Sequence, residues 1–294
     1  MGLVTEEYQT MVLDDLASIE GLYHPVKTSF LTRLFFRRTN IKKLHPNPED
    51  EFSNPAIGPS YDIISNYEEQ IRYNLDMDLP PLMERIVVEK ISTGGYMILN
   101  GHHRWFACHR MGIKRVPIDI VNIVSDEEIM TKVNGLSHNR MVAFDLDEVL
   151  LVDTSLTPHI NRKLSLSGKY LNRKVLRTNV ASLINELHKQ GFDVWIFTAG
   201  YASVRYIETL FKAHRTYVDG VINGMKSRKR RSSTNKVFAG KYTTVVHMDL
   251  EHITWTSETA CECVNIETTG DDWAAKAISI IRALDEKMRS DENS

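Results

Sequence analysis

Apolar positions recur along the chain in two rhythms, one of helices and one of strands, and together they mark out two modules. Within the first twenty residues Tyr8, Met11, Val12, Leu16 and Ile19 fall three or four apart, which predicts a leading helix or arm over 1–29. A first module then spans 30–124. Ile41-Lys42-Lys43-Leu44 reads as a strand, ended by His45-Pro46-Asn47-Pro48, because two prolines forbid helix and favour an extended loop. Ile63, Ile64, Tyr67, Ile71 and Tyr73 beat at helical spacing within the polar stretch 61–74. Residues 86–91 and 96–99 read as paired strands around Ser92-Thr93-Gly94-Gly95. A helix over 102–111 closes at Gly112, and 116–121 is a further strand.

The polar segment 125–140, with Asn134-Gly135, reads as a linker, and a second module occupies 141–290. Apolar strands at 141–144, 194–197 and 244–248 alternate there with helices at 179–190, 202–213 and 272–287. That alternation predicts an α/β fold with a parallel sheet.

Composition narrows the classes. At 294 residues the chain is long enough for two cores. Apolar and charged fractions of 42% and 25% exclude wholesale disorder. A net charge of −2 argues against binding nucleic acid through overall positive charge. No run approaches the ~18 apolar residues of a membrane span, and an N-terminus holding Glu6, Glu7, Asp14 and Asp15 does not resemble a signal peptide. Cys108, Cys261 and Cys263 form neither a disulfide framework nor a four-ligand zinc set. These features imply a cytoplasmic protein with no membrane partner.

Asp145 and Asp147 stand two apart after an apolar strand, where open α/β sheets bind ligands. A carboxylate beside a second acid can serve covalent phosphoryl transfer, one as nucleophile and the other as general acid/base. A solvated turn or helix cap is the plainer reading of Asp-Leu-Asp-Glu alone. The neighbours shift that balance. Thr198 ends a second apolar strand and precedes Ala199-Gly200 and a helix, a hydroxyl with free N–H groups that can cradle phosphate. Asp249 ends a third strand and suits a hard divalent cation. Lys236 and Lys241 lie between them, and either can stabilise a transferring phosphoryl group.

This set resembles the haloacid dehalogenase (HAD) phosphohydrolase superfamily over roughly residues 141–287, and looks closest to its small-capped protein phosphatases of the polymerase-tail type. The resemblance implies a Rossmann-like domain with only a small cap. It implies Asp145 as nucleophile, Asp147 as general acid/base, Thr198 and Lys236 as phosphate binders, and Mg²⁺ held by Asp145, the carbonyl of Asp147, and Asp249. Val149 departs from the family's usual threonine, and Asp249-Leu250-Glu251 separates acids the family sets close together. Asp271-Asp272 is a rival pair, better read as a helix cap. Short intervals between these motifs leave no room for a large cap, so the site is open to a bulky substrate. The basic run Lys226–Arg231 is a solvated loop in the plainer reading and a polyanion attractor in the other, with nucleic acid not the favoured partner.

In the first module Gly101 turns the chain into a helix whose first residues are His102, His103 and Arg104. Free N–H groups, the helix dipole and a guanidinium fork favour an anion there. With the early strand, the acidic proline loop, the hairpin and Val116-Pro117-Ile118, the pattern resembles the ParB/sulfiredoxin superfamily over roughly 38–122. Sulfiredoxins carry cysteine where His102 stands. Chromosome-partitioning ParB proteins usually read Gly-His-Arg-Arg and continue into a helix-turn-helix. Gly-His-His-Arg looks closer to the branch that phosphorylates free serine with ATP or ADP. The resemblance implies Gly101, His102, His103 and Arg104 as nucleotide binders and an acid of the early loop, Glu51 or else Glu49, as base. The expectation is a two-module phosphotransfer enzyme, a kinase for a hydroxyl acceptor joined to a Mg²⁺-dependent phosphohydrolase. Two alternatives stay open: a nucleotide-gated binding module that recruits a phosphatase to nucleic acid or protein, and a nucleic-acid end-processing kinase/phosphatase.

Overall fold

Two separate hydrophobic cores divide the computed structural model into compact units, Met1–Asn122 and Ile123–Ser294. The structure describes residues 5–153, 174–225, 228–257, 260–268 and 270–292.

The N-terminal unit begins with α1 (Glu6–Tyr8), a π-turn at Gln9–Leu13, and α2 (Asp14–Ser18), followed by α3 (Phe30–Phe35). Tyr8 and Val12 are fully buried, so the leading segment belongs to the core. The sheet comprises β1 (Arg38–Asn40), β2 (Leu44–His45), β3 (Ile86–Lys90), β4 (Tyr96–Asn100) and β5 (Arg115–Val121), in the order β1-β5-β3-β4-β2. The strand expected at 41–44 is mostly a 3₁₀ turn, Ile41–Lys43, because the Asn40 side chain accepts the Lys42 N–H and curls the chain. α4 (Tyr61–Asp76) and α5 (His102–Arg110) cover one sheet face. Their apolar stripes (Ile64 and Ile71; Phe106, Ala107 and Cys108) meet Ile86, Val88, Ile98, Ile118 and Ile120.

The segment read as a linker is instead largely helical: α6 (Asp126–Asn134). A capping box fixes its start, with Ser125 N–H donating to Glu128 and Glu128 N–H to Ser125 Oγ. Ile129 and Val133, four apart, are buried in the C-terminal unit.

That unit continues with β6 (Arg140–Asp145), a π-turn at Leu146–Leu150, β7 (Leu151–Asp153), β8 (Lys174–Leu176), α7 (Val180–Lys189), β9 (Asp193–Phe197), α8 (Val204–Ala213) and β10 (Gly220–Ile222). It ends with α9 (Arg228–Ala239), β11 (Thr244–Met248), β12 (His252–Thr256), β13 (Cys261–Asn265) and α10 (Trp273–Glu292). Six strands form one sheet in the order β10-β9-β6-β11-β12-β13. The first four run parallel, whereas β12 and β13 add an antiparallel edge that the alternating pattern did not predict. β7 and β8 pair as a separate hairpin. The small cap expected from the motif spacing would fall largely on 154–173, outside the described residues.

β6 is buried on both faces, as its unbroken apolar run requires. Val142 and Phe144 pack with α7 and α10, and Met141 and Ala143 with α6 and α9. Trp195 lies so close to Gly220 that a Cβ there would come within 2.1 Å of the indole, which restricts the position to glycine. The Trp195 indole N–H donates to Tyr242 Oη, and Tyr242 donates to buried Asp193.

Candidate functional site

In the C-terminal unit the chain leaves β6 for β9 on one side and later returns to β11 on the other. The carboxyl ends of these three strands therefore flank a topological switch point, the crevice where such sheets take ligands. Asp145, Thr198 and Asp249 all stand there, because register aligns Asp145 with Phe197 and Phe144 with Met248.

Asp145 is fixed by its own turn, its Oδ1 accepting the N–H groups of Asp147 (2.9 Å) and Glu148 (3.0 Å). Burial pushes its carboxyl above the usual range, and the charge of Asp147 adds to that, against the two N–H donors. Thr198, almost fully buried, donates its hydroxyl proton to Asp147 Oδ2 at 2.5 Å and accepts the Gly200 N–H at 3.0 Å. Asp147 is thus aimed by a strand fifty residues away in sequence.

Asp249 accepts the N–H groups of Glu251 (3.0 Å) and His252 (2.8 Å). Burial pushes this carboxyl up, but those bonds and the nearby imidazoles outweigh it and hold it below the usual range. Glu148 is raised, first by Asp145, then by burial and by Asp249 and Asp147, so negative charge is concentrated here.

Among the described residues Arg231 is one cation that reaches this cluster, its charge acting on Glu148 and on His247. Neither expected lysine does so in any described contact: Lys236 is exposed, and Lys241 Nζ donates to the Leu136 carbonyl. Arg231 ends the basic run Lys226–Arg231, of which Lys226 and Ser227 lie outside the described residues. Asp271 and Asp272 precede α10; Asp272 accepts Lys276 N–H through its carbonyl and pairs with the Lys276 ammonium at 3.1 Å, as a helix start does.

The donors expected to hold Mg²⁺ are hard oxygens at adjacent strand ends, and the excess negative charge at Glu148 suits a cation. Among the described residues no three His, Cys, Asp or Glu side chains converge as a ready metal cluster. The Asp147 carbonyl accepts from Lys174 Nζ of β8 at 3.3 Å.

In the N-terminal unit Gly101 starts α5 at φ +105°. The Arg104 guanidinium lies 3.0 Å from where a Cβ would stand, so a side chain is disfavoured twice over. Arg104 is buried, pairs with Glu84, and donates to Asn100 Oδ1 at 2.9 Å. His102 Nε2 accepts Asn47 N–H at 3.1 Å, and His103 Nε2 accepts Ser60 N–H at 3.0 Å. Phe52 stacks on His102, with ring centroids 5.4 Å apart, and meets His103 and Trp105 edge-on. The two imidazoles therefore clasp the loop 45–60 over the helix start. Burial lowers the His103 pKa, with Asp50 opposing. The carboxylate set against His102 is that of Asp50, 3.6 Å from Nδ1, which sequence reasoning passed over in favour of its neighbours. Glu51 is exposed at the start of the 3₁₀ turn Glu51–Ser53, and Glu49 is exposed beside it. Cys108 is buried with its thiol pushed up to about 12, hence unreactive.

Residues 64–135 match the ParB N-terminal domain. The match runs from α4 through α6, across the helix start of Gly101-His102-His103-Arg104, and ends before β6. No curated protein matches the chain. Among solved structures the chain is similar to the C-terminally truncated chromosome-partitioning protein ParB from Caulobacter crescentus complexed with CTP-gamma-S. The identity is 25%, the TM-score 0.24, and the coverage 35% of this chain and 55% of that one. The chain thus spans about half the length of that ParB. No helix among the described residues is long and apolar enough to cross a membrane.

Proposed function

We propose that the C-terminal unit is a phosphomonoester hydrolase of the haloacid dehalogenase type and that the ParB-like N-terminal domain binds a nucleotide. One observation carries the first half: the Thr198 hydroxyl holds Asp147 beside a turn-fixed Asp145 at the switch point of the sheet. In this reading the Asp145 carboxylate attacks phosphorus, the ester P–O bond breaks, and Asp147 gives its proton to the departing alkoxide. Asp147 then takes a proton from water, whose oxygen attacks the aspartyl phosphate and releases orthophosphate. Asp145, Asp249 and the Asp147 carbonyl would hold Mg²⁺, which when bound would neutralise phosphate charge. Arg231 supplies the fixed positive charge.

The helix start of α5 supports nucleotide binding, since its first N–H groups and dipole favour phosphate. His102, His103 and Arg104 already hold loop and strand partners. That favours a binding module over a kinase of a free hydroxyl acceptor, for which Glu51 or Asp50 would have to serve as base.

Phosphate release from small esters with Mg²⁺ tests the first half. Asp145→Asn should lower it by about a thousandfold or more, with nucleotide binding unchanged. Calorimetric titration with ATP, ADP and CTP tests the second; no binding of any of them refutes it. Labelled transfer from nucleotide to hydroxy-amino acids or oligonucleotide ends would revive the kinase readings.

A further inference from the structure

Beside the acids, the C-terminal sheet opens into a groove of about 500 Å³. Its floor is one face of β11 and β12, where His247 and Thr254 are direct cross-strand neighbours. β11 alternates, with Val246 and Met248 turned into the core and His247 toward the groove. The wall is aromatic: Phe197 and Phe238 stack at 5.8 Å and 13°, and the His247 ring stacks on Phe197 at 5.9 Å with a 29° tilt. From α9, Arg231 and Asn235 join the lining, one helical turn apart.

The groove comes up to the acid site at two of its lining residues: Phe197 immediately precedes Thr198, and His247 stands two positions before Asp249. The charges of Asp145 and Asp249 act on His247, and that of Arg231 acts on Glu148. It therefore has a charged end at the acids and a flat, ring-lined body leading away from them. A fatty chain would set apolar carbon against Asn235 and the Arg231 guanidinium, and a small sugar phosphate would leave the aromatic wall uncovered. A planar ring against Phe197 and Phe238, with polar edge atoms toward Asn235 and Thr254, uses both.

We propose that this groove holds the organic group of the substrate, and that the substrate is a phosphate monoester of a flat aromatic or heteroaromatic group. The phosphate would face Arg231 and Asp145. This rests on the hydrolase reading above and gives it a substrate class.

Benzyl phosphate and glycerol 2-phosphate have similar alkoxide leaving groups, so their comparison isolates the ring. The full chain should hydrolyse benzyl phosphate with a kcat/KM about tenfold higher, about 1.4 kcal/mol of preference. Thr254→Trp fills the groove from the floor and Asn235→Trp from the helix; in both, the preference should fall toward one. Using two variants guards against one that misfolds, and circular dichroism reports on each. Hydrolysis of both esters with no preference, unaltered in both variants, overturns the groove assignment and leaves the hydrolase reading standing. Hydrolysis of neither refutes the hydrolase reading, and calorimetric titration with benzylphosphonate then decides the groove. Binding that both variants weaken about tenfold upholds it as an aryl phosphate site. No binding overturns it.

Discussion

The hydroxyl of Thr198 links β9 to the acids of β6, donating to Asp147 and accepting from Gly200. Thr198→Val keeps the shape and deletes both bonds. Phosphate release should fall by about a hundredfold, and thermal denaturation should report a loss of about 1–2 kcal/mol for the orphaned Gly200 N–H. At Gly101 both the backbone at φ +105° and the guanidinium at 3.0 Å resist a methyl group. Gly101→Ala should cost about 1–3 kcal/mol, measured by urea unfolding. That Asp145, Thr198 and Asp249 stand at the ends of apolar strands was legible in the sequence, because a polar residue closing such a strand has only the crevice to face. Lys236 stands away from the groove for a reason the sequence also contained. Arg231, Asn235 and Phe238 recur at helical spacing on one face of α9, and Lys236 falls off it. Asp50 was missed because three adjacent carboxylates look alike until a fold chooses among them.

At the scale of elements, the loop 45–60 is held by imidazoles that accept, and an acceptor nitrogen must be unprotonated. Burial lowers the His103 pKa, so the folded state binds fewer protons than the unfolded chain through the window below the ordinary imidazole value. Stability is fully present above that value and is lost as pH falls through the lowered one. His102 Nε2 accepts the Asn47 N–H in the same way. Melting temperature measured from pH 8 to 5 should decline toward acid. His103→Gln, which can still accept from Ser60 but does not titrate, should flatten the decline. A second element was misread outright. The stretch 125–140 looked like a linker because Asp126, Glu127 and Glu128 dominate it, yet acids suit the first turn of a helix. Ser125→Ala, which breaks the capping box, should destabilise the C-terminal unit by about 1 kcal/mol in thermal unfolding. Strand and helix positions within the ParB-like domain were nearly all readable from periodicity, and Cys261-Glu262-Cys263 reads as a strand with both thiols on one face, as β13 has them, whereas β12 was not readable. Its inward residues, Ile253 and Trp255, are spaced among histidine and threonines that give no apolar run.

At the scale of the whole molecule, the two units bury separate cores, and each contains its own candidate chemistry. Ile64 is completely buried in the first. Ile64→Ala should lower the stability of that unit by about 2–5 kcal/mol. Calorimetry should then resolve two transitions, only one of them displaced, and a single transition displaced as a whole would show that the units unfold together.

The tryptophans divide along the same line. Trp195, Trp255 and Trp273 are buried in the C-terminal unit, and Trp105 is buried in the N-terminal one, its ring centroid 6.4 Å from that of Phe52. With the other three replaced by phenylalanine, all remaining indole emission would come from beside the loop that His102 and His103 clasp. The chain then carries its own optical gauge, in which intensity and wavelength register whether that loop is seated, while the chemistry at the other end of the polypeptide stays dark.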